Sequence, residues 1–472
     1  MNRSNRRFAV VLFTALVLAG CRRPQSRTEP WVWPGANRSN TFLFAQSGTR
    51  PAPAPRFVAV WEAELFDVPA AEPVPGIAHA GHRPLLLDLD RDGLLEIVTS
   101  PLGERPAAVL NWEGAPLTGR ARSGTDWPLI QSDSARIVAD DSTGWVLLPE
   151  LSRSRSGSGP LAVRVNRRIV TLDVVPEPES SHSVPVLECR DIGDGRLLWR
   201  YEFGARPDLM AVADLDADGK EELLLTTYAG EPGAAEIKTG GSDSCHCIAL
   251  RDDGTLLWQH GFGAHRFIGC TAGVADLDGD GRSEVFVAVY SWLNDFGGLA
   301  VLDGGTGEVR AELPAPSQSP VSYAAAGCAD FDGDGRQELA AAACGRRAEV
   351  QLYRLEANRL KLSARAPLGE VRDSGEVSEC RLHGICDLDG DGKYELVLSR
   401  CLKRMICRDP LFYPLTFDSC GLFVLGSDLK RRQEIALPDR CQDVTLGDVI
   451  PGGNIELLVV TDRLWLYTTS SR

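Results

Sequence analysis

This sequence of 472 residues is short of several things. It has three methionines and seven histidines. It lacks a basic excess: the formal charge is −15, which argues against a nucleic-acid groove because such a groove needs a basic face. It has no G-x-S-x-G elbow, no H-E-x-x-H helix and no Walker loop, so the common signatures of serine hydrolases, zinc proteases and NTPases are missing. Beyond the first 20 residues no apolar run is long enough to span a bilayer. Glycine (47) and proline (29) are plentiful, which fits many turns and short strands better than long helices. Hydrophobic residues at 43% and charged residues at 24% exclude a disordered chain.

The first residues point to export. Arg3, Arg6 and Arg7 precede an apolar run from Phe8 to Ala19, the layout of a signal peptide. The run ends in Leu18-Ala19-Gly20-Cys21, which resembles the bacterial lipobox. That resemblance implies a signal peptide over 1–20, lipidation of Cys21, and a bacterial membrane lipoprotein facing the periplasm or the cell surface. Residues 21–56, rich in Pro, Arg, Ser and Asn, read as the lipidated cysteine and a flexible tether. Residues 57–472 are the folded body. Without the signal peptide the formal charge becomes −18. Twelve cysteines remain after Cys21, an even number that an oxidising compartment would allow to pair. Candidate groups are Cys245, Cys247 and Cys270, and Cys401, Cys407 and Cys420; spacing alone does not fix their connectivity.

The strongest signal is a repeat. Five segments align without gaps: DLDRDGLLEIV from Asp88, DLDADGKEELL from Asp214, DLDGDGRSEVF from Asp276, DFDGDGRQELA from Asp330 and DLDGDGKYELV from Asp387. A sixth from Asp448 keeps Gly453 and Glu456 but has lost the carboxylates at positions 3 and 5. The intervals are 126, 62, 54, 57 and 61 residues. The first is about twice the others, so a hidden repeat is expected there, with Asp140 and Asp141 as its remnant. Each interval holds four short strands. The reading is therefore all-β: a seven-bladed β-propeller with four-stranded blades, six or eight blades being the alternatives. The strand FVAVWEAEL at 57–65 has no loop of its own and is expected to complete the last blade, closing the ring and protecting its edges.

The loop chemistry suggests a hard cation. Aspartates at positions 1, 3 and 5 converge if the backbone turns sharply, and glycine at position 6 permits that turn. A glutamate at position 9 closes the shell. Oxygen-only coordination at this charge density suits Ca2+ better than Mg2+. The predicted ligands are Asp88, Asp90, Asp92 and Glu96; Asp214, Asp216, Asp218 and Glu222; Asp276, Asp278, Asp280 and Glu284; Asp330, Asp332, Asp334 and Glu338; and Asp387, Asp389, Asp391 and Glu395. About five Ca2+ sites follow, holding 20 of the 65 acidic residues. With the closing glutamate at position 9 and a strand behind it, the loop is like an EF-hand only in part.

In these loops the chain resembles the FG-GAP, or VCBS, repeat family, over roughly 57–468. The resemblance implies an integrin-alpha-like calcium propeller. The Phe-Gly and Gly-Ala-Pro landmarks that name the family are not clear, so the fold carries over better than any ligand. Two segments, GDGRLLW with Trp199 and DDGTLLW with Trp258, also look like blades of quinoprotein-type propellers, without residues to hold the quinone.

Calcium would sit on one face. Longer connections at 228–245, 290–297 and 399–420 would open on the other, the last with Lys403, Arg404, Arg408, Phe412 and Tyr413. Function is therefore expected as a membrane-anchored binding or scaffold module at the cell envelope. Its partners would be the membrane, through the lipid, and a protein or glycan on the face opposite calcium. No nucleic acid is expected. The alternative is an extracytoplasmic enzyme, a carbohydrate lyase or a quinone-dependent dehydrogenase. His260, His265 and His383 precede the loops and read as structural, possible lining of a central channel.

Overall fold

A computed structural model describes residues 43–44, 57–63, 85–87, 95–98, 109–113, 130–131, 134–135, 137–138, 146–147, 162–166, 168–176, 183–191, 196–203, 207–227, 245–262, 268–291, 297–314, 321–371, 376–405, 415–450, 455–461 and 463–469. Every regular element among them is a β-strand. No helix among the described residues is long and apolar enough to cross a membrane. The predicted signal peptide, Cys21, Asp88, Asp90, Asp92 and the tips of the three long connections lie outside the described residues.

The unit is an antiparallel four-stranded meander. It occurs over 162–203, 207–262, 268–314, 321–371 and 376–436. A three-stranded sheet pairs Leu85–Leu87, Glu96–Val98 and Val109–Leu110. The last sheet comprises Asp443–Gly447, Glu456–Val460 and Leu464–Thr469, and its fourth strand is Phe57–Ala63. That N-terminal strand runs antiparallel, from Phe57 opposite Thr469 to Ala63 opposite Leu464. The pairing expected of residues 57–65 is therefore present. Within the segment read as a tether, Leu43–Phe44 pair in parallel with Ile385–Cys386.

Burial explains the strand compositions. Glu222–Thr227 and Glu338–Gly345, second in their sheets, are buried at every residue. Sheets cover them on both faces, so they read as continuous apolar runs. The fourth strand Leu197–Glu202 is nowhere fully buried, and its sequence LLWRYE is half polar.

Successive sheets pack face to face. One cluster joins Met210, Leu224 and Trp258 to Val274, Val285 and Val287. A second joins Phe286 and Val301 to Tyr323, Leu339 and Ala341. A third joins Ala340, Val350 and Leu352 to Ile385, Leu396 and Phe423. A fourth holds Val397, Leu422, Leu446 and Leu457 together with Leu86, Leu95 and Ile97. The sheet at 85–110 thus packs on the last sheet; a Cβ added at Gly447 would meet Leu86 Cδ1 at 2.5 Å.

Tryptophans lock two junctions. Trp199 lies on Gly254 of the next sheet, and its indole N–H donates to Asp252 O at 2.8 Å. Trp258 repeats this on Gly307, donating to Gly304 O at 2.6 Å. Both glycines have positive φ, +85° and +69°, and a Cβ on either would come within 2.7 Å of the ring. The two segments singled out by their Gly-x-Leu-Leu-Trp pattern are therefore sheet-to-sheet contacts.

The doubled interval is filled differently from the expectation. Its four-stranded sheet is 162–203, and the first hairpin turns directly after Val165, which pairs with Arg168, with no acidic loop. Asn166 has a φ of +52° and takes the place of a loop. Its backbone N–H donates to Glu221 Oε2 at 3.0 Å, and its side chain donates to Glu221 O at 3.2 Å. Asp140 and Asp141 lie outside the described residues. The short strands that flank them, Ile137–Val138 and Val146–Leu147, pair only with each other. A turn this short leaves no acidic signature, so the sequence did not point to this hairpin.

Candidate metal centres

Each acidic loop joins the first two strands of a sheet, and the register is the same every time. The residue before the first Asp pairs with the Glu at position 9: Ala213 with Glu222, Ala275 with Glu284, Ala329 with Glu338 and Cys386 with Glu395. The same holds for Gly447 with Glu456, and for Leu87 with Glu96 at the first loop. Eight residues are thus held between two paired positions, a loop tight enough to aim its side chains inward.

The inner hydrogen bonds repeat too. The first Asp accepts from backbone N–H groups at positions 5 and 6, as in Asp218 N to Asp214 Oδ1 at 3.2 Å and Gly219 N to Asp214 Oδ2 at 3.0 Å. Asp276, Asp330 and Asp387 do the same. The glycine at position 6 has a φ between 83° and 88° in these loops. That left-handed turn favours glycine, as the sequence implied.

The closing glutamate is buried, between 1% and 4% exposed in the four complete loops described. One of its oxygens, Oε2, accepts from the backbone N–H at position 2. The distances are 2.8 Å in Glu222, Glu284 and Glu338 and 2.9 Å in Glu395. In Glu284, Glu338 and Glu395 the carboxylate also comes within 4.8 Å of the first two aspartates of its loop. Sequence reasoning missed this anchor, because position 2 is apolar and contributes through its backbone.

Four clusters bring ligand atoms within 4.8 Å of one another: Asp214, Asp216 and Asp218; Asp276, Asp278 and Glu284; Asp330, Asp332 and Glu338; and Asp387, Asp389 and Glu395. A set of carboxylate oxygens at that separation fits a hard divalent cation. Asp280, Asp334 and Asp391 at position 5 fall outside their clusters. Each instead accepts from the backbone N–H two residues on, at 2.8 to 2.9 Å. Glu222 likewise falls outside the cluster of its own loop.

Electrostatics show what these clusters need. Burial, with the neighbouring aspartates adding to it, pushes Glu222 and Glu284 up to about 7 and Glu395 up to about 8. Glu338 is raised for the same first reason. Three loops receive an arginine from their own sheet. Arg251 meets Asp216 at 3.4 Å, Arg310 meets Asp278 at 2.6 Å and also Glu284, and Arg354 meets Asp334 at 3.1 Å and Glu338 at 2.9 Å. No arginine reaches the 387–395 loop among the described residues, and there Asp389 is also raised, by burial and by Asp391 and Asp387.

The degenerate sixth loop explains its own losses. Glu456 keeps the anchor, accepting from Val449 N at 2.9 Å and Ile450 N at 3.1 Å. Its second oxygen accepts from Thr468 Oγ1 at 2.8 Å. A hydroxyl supplies there what a cation would supply elsewhere.

These shifts have a measurable consequence. A glutamate with a folded pKa near 7 to 8 and an unfolded pKa near 4.5 binds more protons folded than unfolded across that window. Metal-free protein should therefore lose stability as pH rises from about 5 to about 8. Calcium should abolish that slope and release protons on binding at pH 7. Thermal melts at the two pH values in chelator test the sign, and a higher melting temperature at pH 8 would refute it.

Polar residues elsewhere do not form an open reaction site among the described residues. His383 Nε2 lies 2.7 Å from Ser399 Oγ, and His383 Nδ1 lies 3.5 Å from Asp443 Oδ1. All three are buried, at 2%, 3% and 7% exposure, and they tie neighbouring strands together. His260 lies on the fourth strand of its sheet, Leu256–Phe262, with its ring 4.8 Å from that of Phe262, and so is not on the first strand that precedes an acidic loop. His265 lies outside the described residues.

Comparison with known proteins adds the following. A search of curated proteins gave no match. Among solved structures, the C-terminal domain of PilY1 from Pseudomonas aeruginosa is 13% identical, with 65% of this chain and 79% of that one covered at a TM-score of 0.37. A rhamnogalacturonan lyase of Bacillus licheniformis is 14% identical, with 66% and 89% covered at 0.30. The exotype rhamnogalacturonan lyase YesX is 14% identical, with 62% and 81% covered at 0.30. Residues 276–341 match the model of the FG-GAP-like repeat. That segment begins at one acidic loop and runs through the next, so the chain carries the repeat its loops resemble.

Proposed function

We propose that the chain is a calcium-stabilised, seven-sheet propeller that acts as a binding or scaffold module at the cell envelope, held there by a lipid on Cys21. The acidic loops with their buried, backbone-anchored glutamates are the observation that carries it. They fit calcium as a structural ion, bound by Asp214, Asp216 and Asp218, by Asp276, Asp278 and Glu284, by Asp330, Asp332 and Glu338, and by Asp387, Asp389 and Glu395. The matching register at Glu96 supports a fifth site at Asp88, Asp90 and Asp92. Bound calcium would neutralise carboxylates that the fold buries. It would also lock the first hairpin of each sheet. Five ions would bring the mature formal charge from −18 to −8.

The order of contacts supports ring closure. The sheets pack in sequence from 162–203 to 443–469, and 85–110 packs on the last. Seven sheets complete a ring if 85–110 also meets 162–203.

The recognition face would be the one opposite the acidic loops. Three cations gather there around Glu379, which accepts from Arg381 Nε at 2.9 Å and from Arg440 at 2.6 Å, with Lys403 beside them. Burial opposes ionisation of Glu379, but Arg440, Arg381 and Lys403 outweigh it and hold its pKa well below the usual range. Burial pulls Lys403 down to about 8. The exposed Arg404 lies at the edge of this group, against Glu376. The local positive excess, set in an acidic protein, fits an acidic protein or glycan ligand.

Two substitutions test the reading. Cys21→Ser should stop fatty-acid incorporation and move the protein from the membrane to the soluble envelope fraction; unchanged fractionation would remove the anchor. Arg404→Glu should reduce capture of the envelope ligand at least tenfold with the melting temperature unchanged. Equal capture by both proteins would place recognition elsewhere.

A further inference from the structure

Eleven cysteines are among the described residues, and all are buried thiols. The loops and the cationic group leave them unused. Their positions follow the repeat. Cys344 comes six residues after Glu338, and Cys401 comes six after Glu395. Cys380 comes seven before Asp387, and Cys441 comes seven before Asp448. One member of each pair thus lies on the second strand of a sheet, and the other stands on the approach to the next sheet's acidic loop.

The first pair is in contact. Cys380 N–H donates to Cys344 Sγ at 3.2 Å, and the Cys344 thiol donates to Cys380 O at 3.0 Å. Beside them Gly345 pairs with Ser378 across the two sheets, which fixes the separation of the strands. A second contact joins the 207–262 and 268–314 sheets. Cys245 opens a third strand, Cys270 lies on the following sheet's first strand, and their thiols hydrogen-bond. Cys270 Sγ also lies 3.6 Å from His246 O. At the next junction Cys401 neighbours both Cys441 and Cys420.

We propose that Cys245–Cys270 and Cys344–Cys380 are disulfide pairs, each stapling one sheet to the first strand of its neighbour. Apart from the Gly345–Ser378 pairing, the two junctions are held chiefly by side-chain packing, so a covalent link there resists separation of the sheets. The hydrogen bond with Cys245, together with burial, raises the Cys270 thiol well above its ordinary range, and burial does the same to Cys380, so one thiol of each pair resists ionisation in the folded state. Bridging therefore belongs to folding. A thiolate attacks a sulfur of an oxidant disulfide and expels one of its thiols. The second cysteine then attacks the mixed disulfide and expels the other. The two cysteines lose two electrons and two protons, and the oxidant disulfide gains both.

The test is oxidative refolding of the full chain. Reduced, unfolded protein is refolded with calcium in a mixture of reduced and oxidised glutathione, quenched in acid, unfolded, alkylated and mapped by mass spectrometry. Peptides of Cys245 and Cys270, and of Cys344 and Cys380, should appear linked, each link lowering the mass by about 2 Da because two hydrogens leave. Cys189, Cys328 and Cys386 have no cysteine acting on them among the described residues and should be alkylated. Alkylation of Cys245, Cys270, Cys344 and Cys380, or linkage scattered among all the cysteines, would overturn the proposal. The melt of the bridged form should fall by several degrees in reductant, whereas a Cys344→Ser/Cys380→Ser variant should lose only the part due to that bridge.

Discussion

Stripping divalent cations should lower the melting temperature of this protein by ~10 °C or more, and millimolar calcium should restore it. A ligand that binds the folded state alone at a hundred times its dissociation constant adds about 2.7 kcal/mol per site. Four clusters are built alike and lie in separate sheets, so their contributions should be roughly additive. In a body of this size each kcal/mol moves the melt by about 2 °C. Without a cation each loop holds aspartates against a buried glutamate that resists ionisation. The loops should not contribute equally. Arg310 and Arg354 already offset charge in the 276–284 and 330–338 loops, and no arginine does so at 387–395 among the described residues. Asp389→Asn should therefore remove more of the calcium-induced shift than Asp332→Asn. A melt indifferent to chelator would refute the calcium reading itself; equal losses from the two variants would refute only this ranking.

Truncating Trp258 should cost about 4 kcal/mol, the range for deleting a large aromatic from a core. The indole is 6% exposed, covers Gly307 and donates to Gly304 O. Trp258→Ala would leave a cavity between two sheets and a carbonyl without its donor. Trp199→Ala should cost less, because Trp199 is only half-buried. Urea unfolding of calcium-loaded protein measures both. A change under 1 kcal/mol for Trp258→Ala would mean that the junction does not depend on the indole.

Much of the acidic loop was legible because it is local. Its ends are eight residues apart, its turn needs Gly219, Gly281, Gly335 or Gly392, and its ligands sit at fixed offsets. The anchoring of Glu222 by Leu215 N–H was not legible, because any residue at position 2 supplies that group. The sheet at 162–203 was not legible for a related reason. The short turn at Asn166 carries no carboxylates, so nothing in the sequence marked it as a counterpart of the acidic loops. The repeat positions of Cys344 and Cys401 were countable, but their pairing was not, since the partners belong to other sheets.

The sequence by itself determined the repeating unit: a loop of defined chemistry, its spacing, and strands whose apolar runs or alternation show how deeply each lies. These are set within a few residues, by turn geometry and by side-chain charge. Tertiary structure alone decided which units touch. It brought Phe57–Ala63 beside Leu464–Thr469, Leu86 against Gly447, three cations around Glu379, and cysteines of separate repeats into contact. Such neighbours are far apart in the chain, and only the packing of complete sheets against one another selects them.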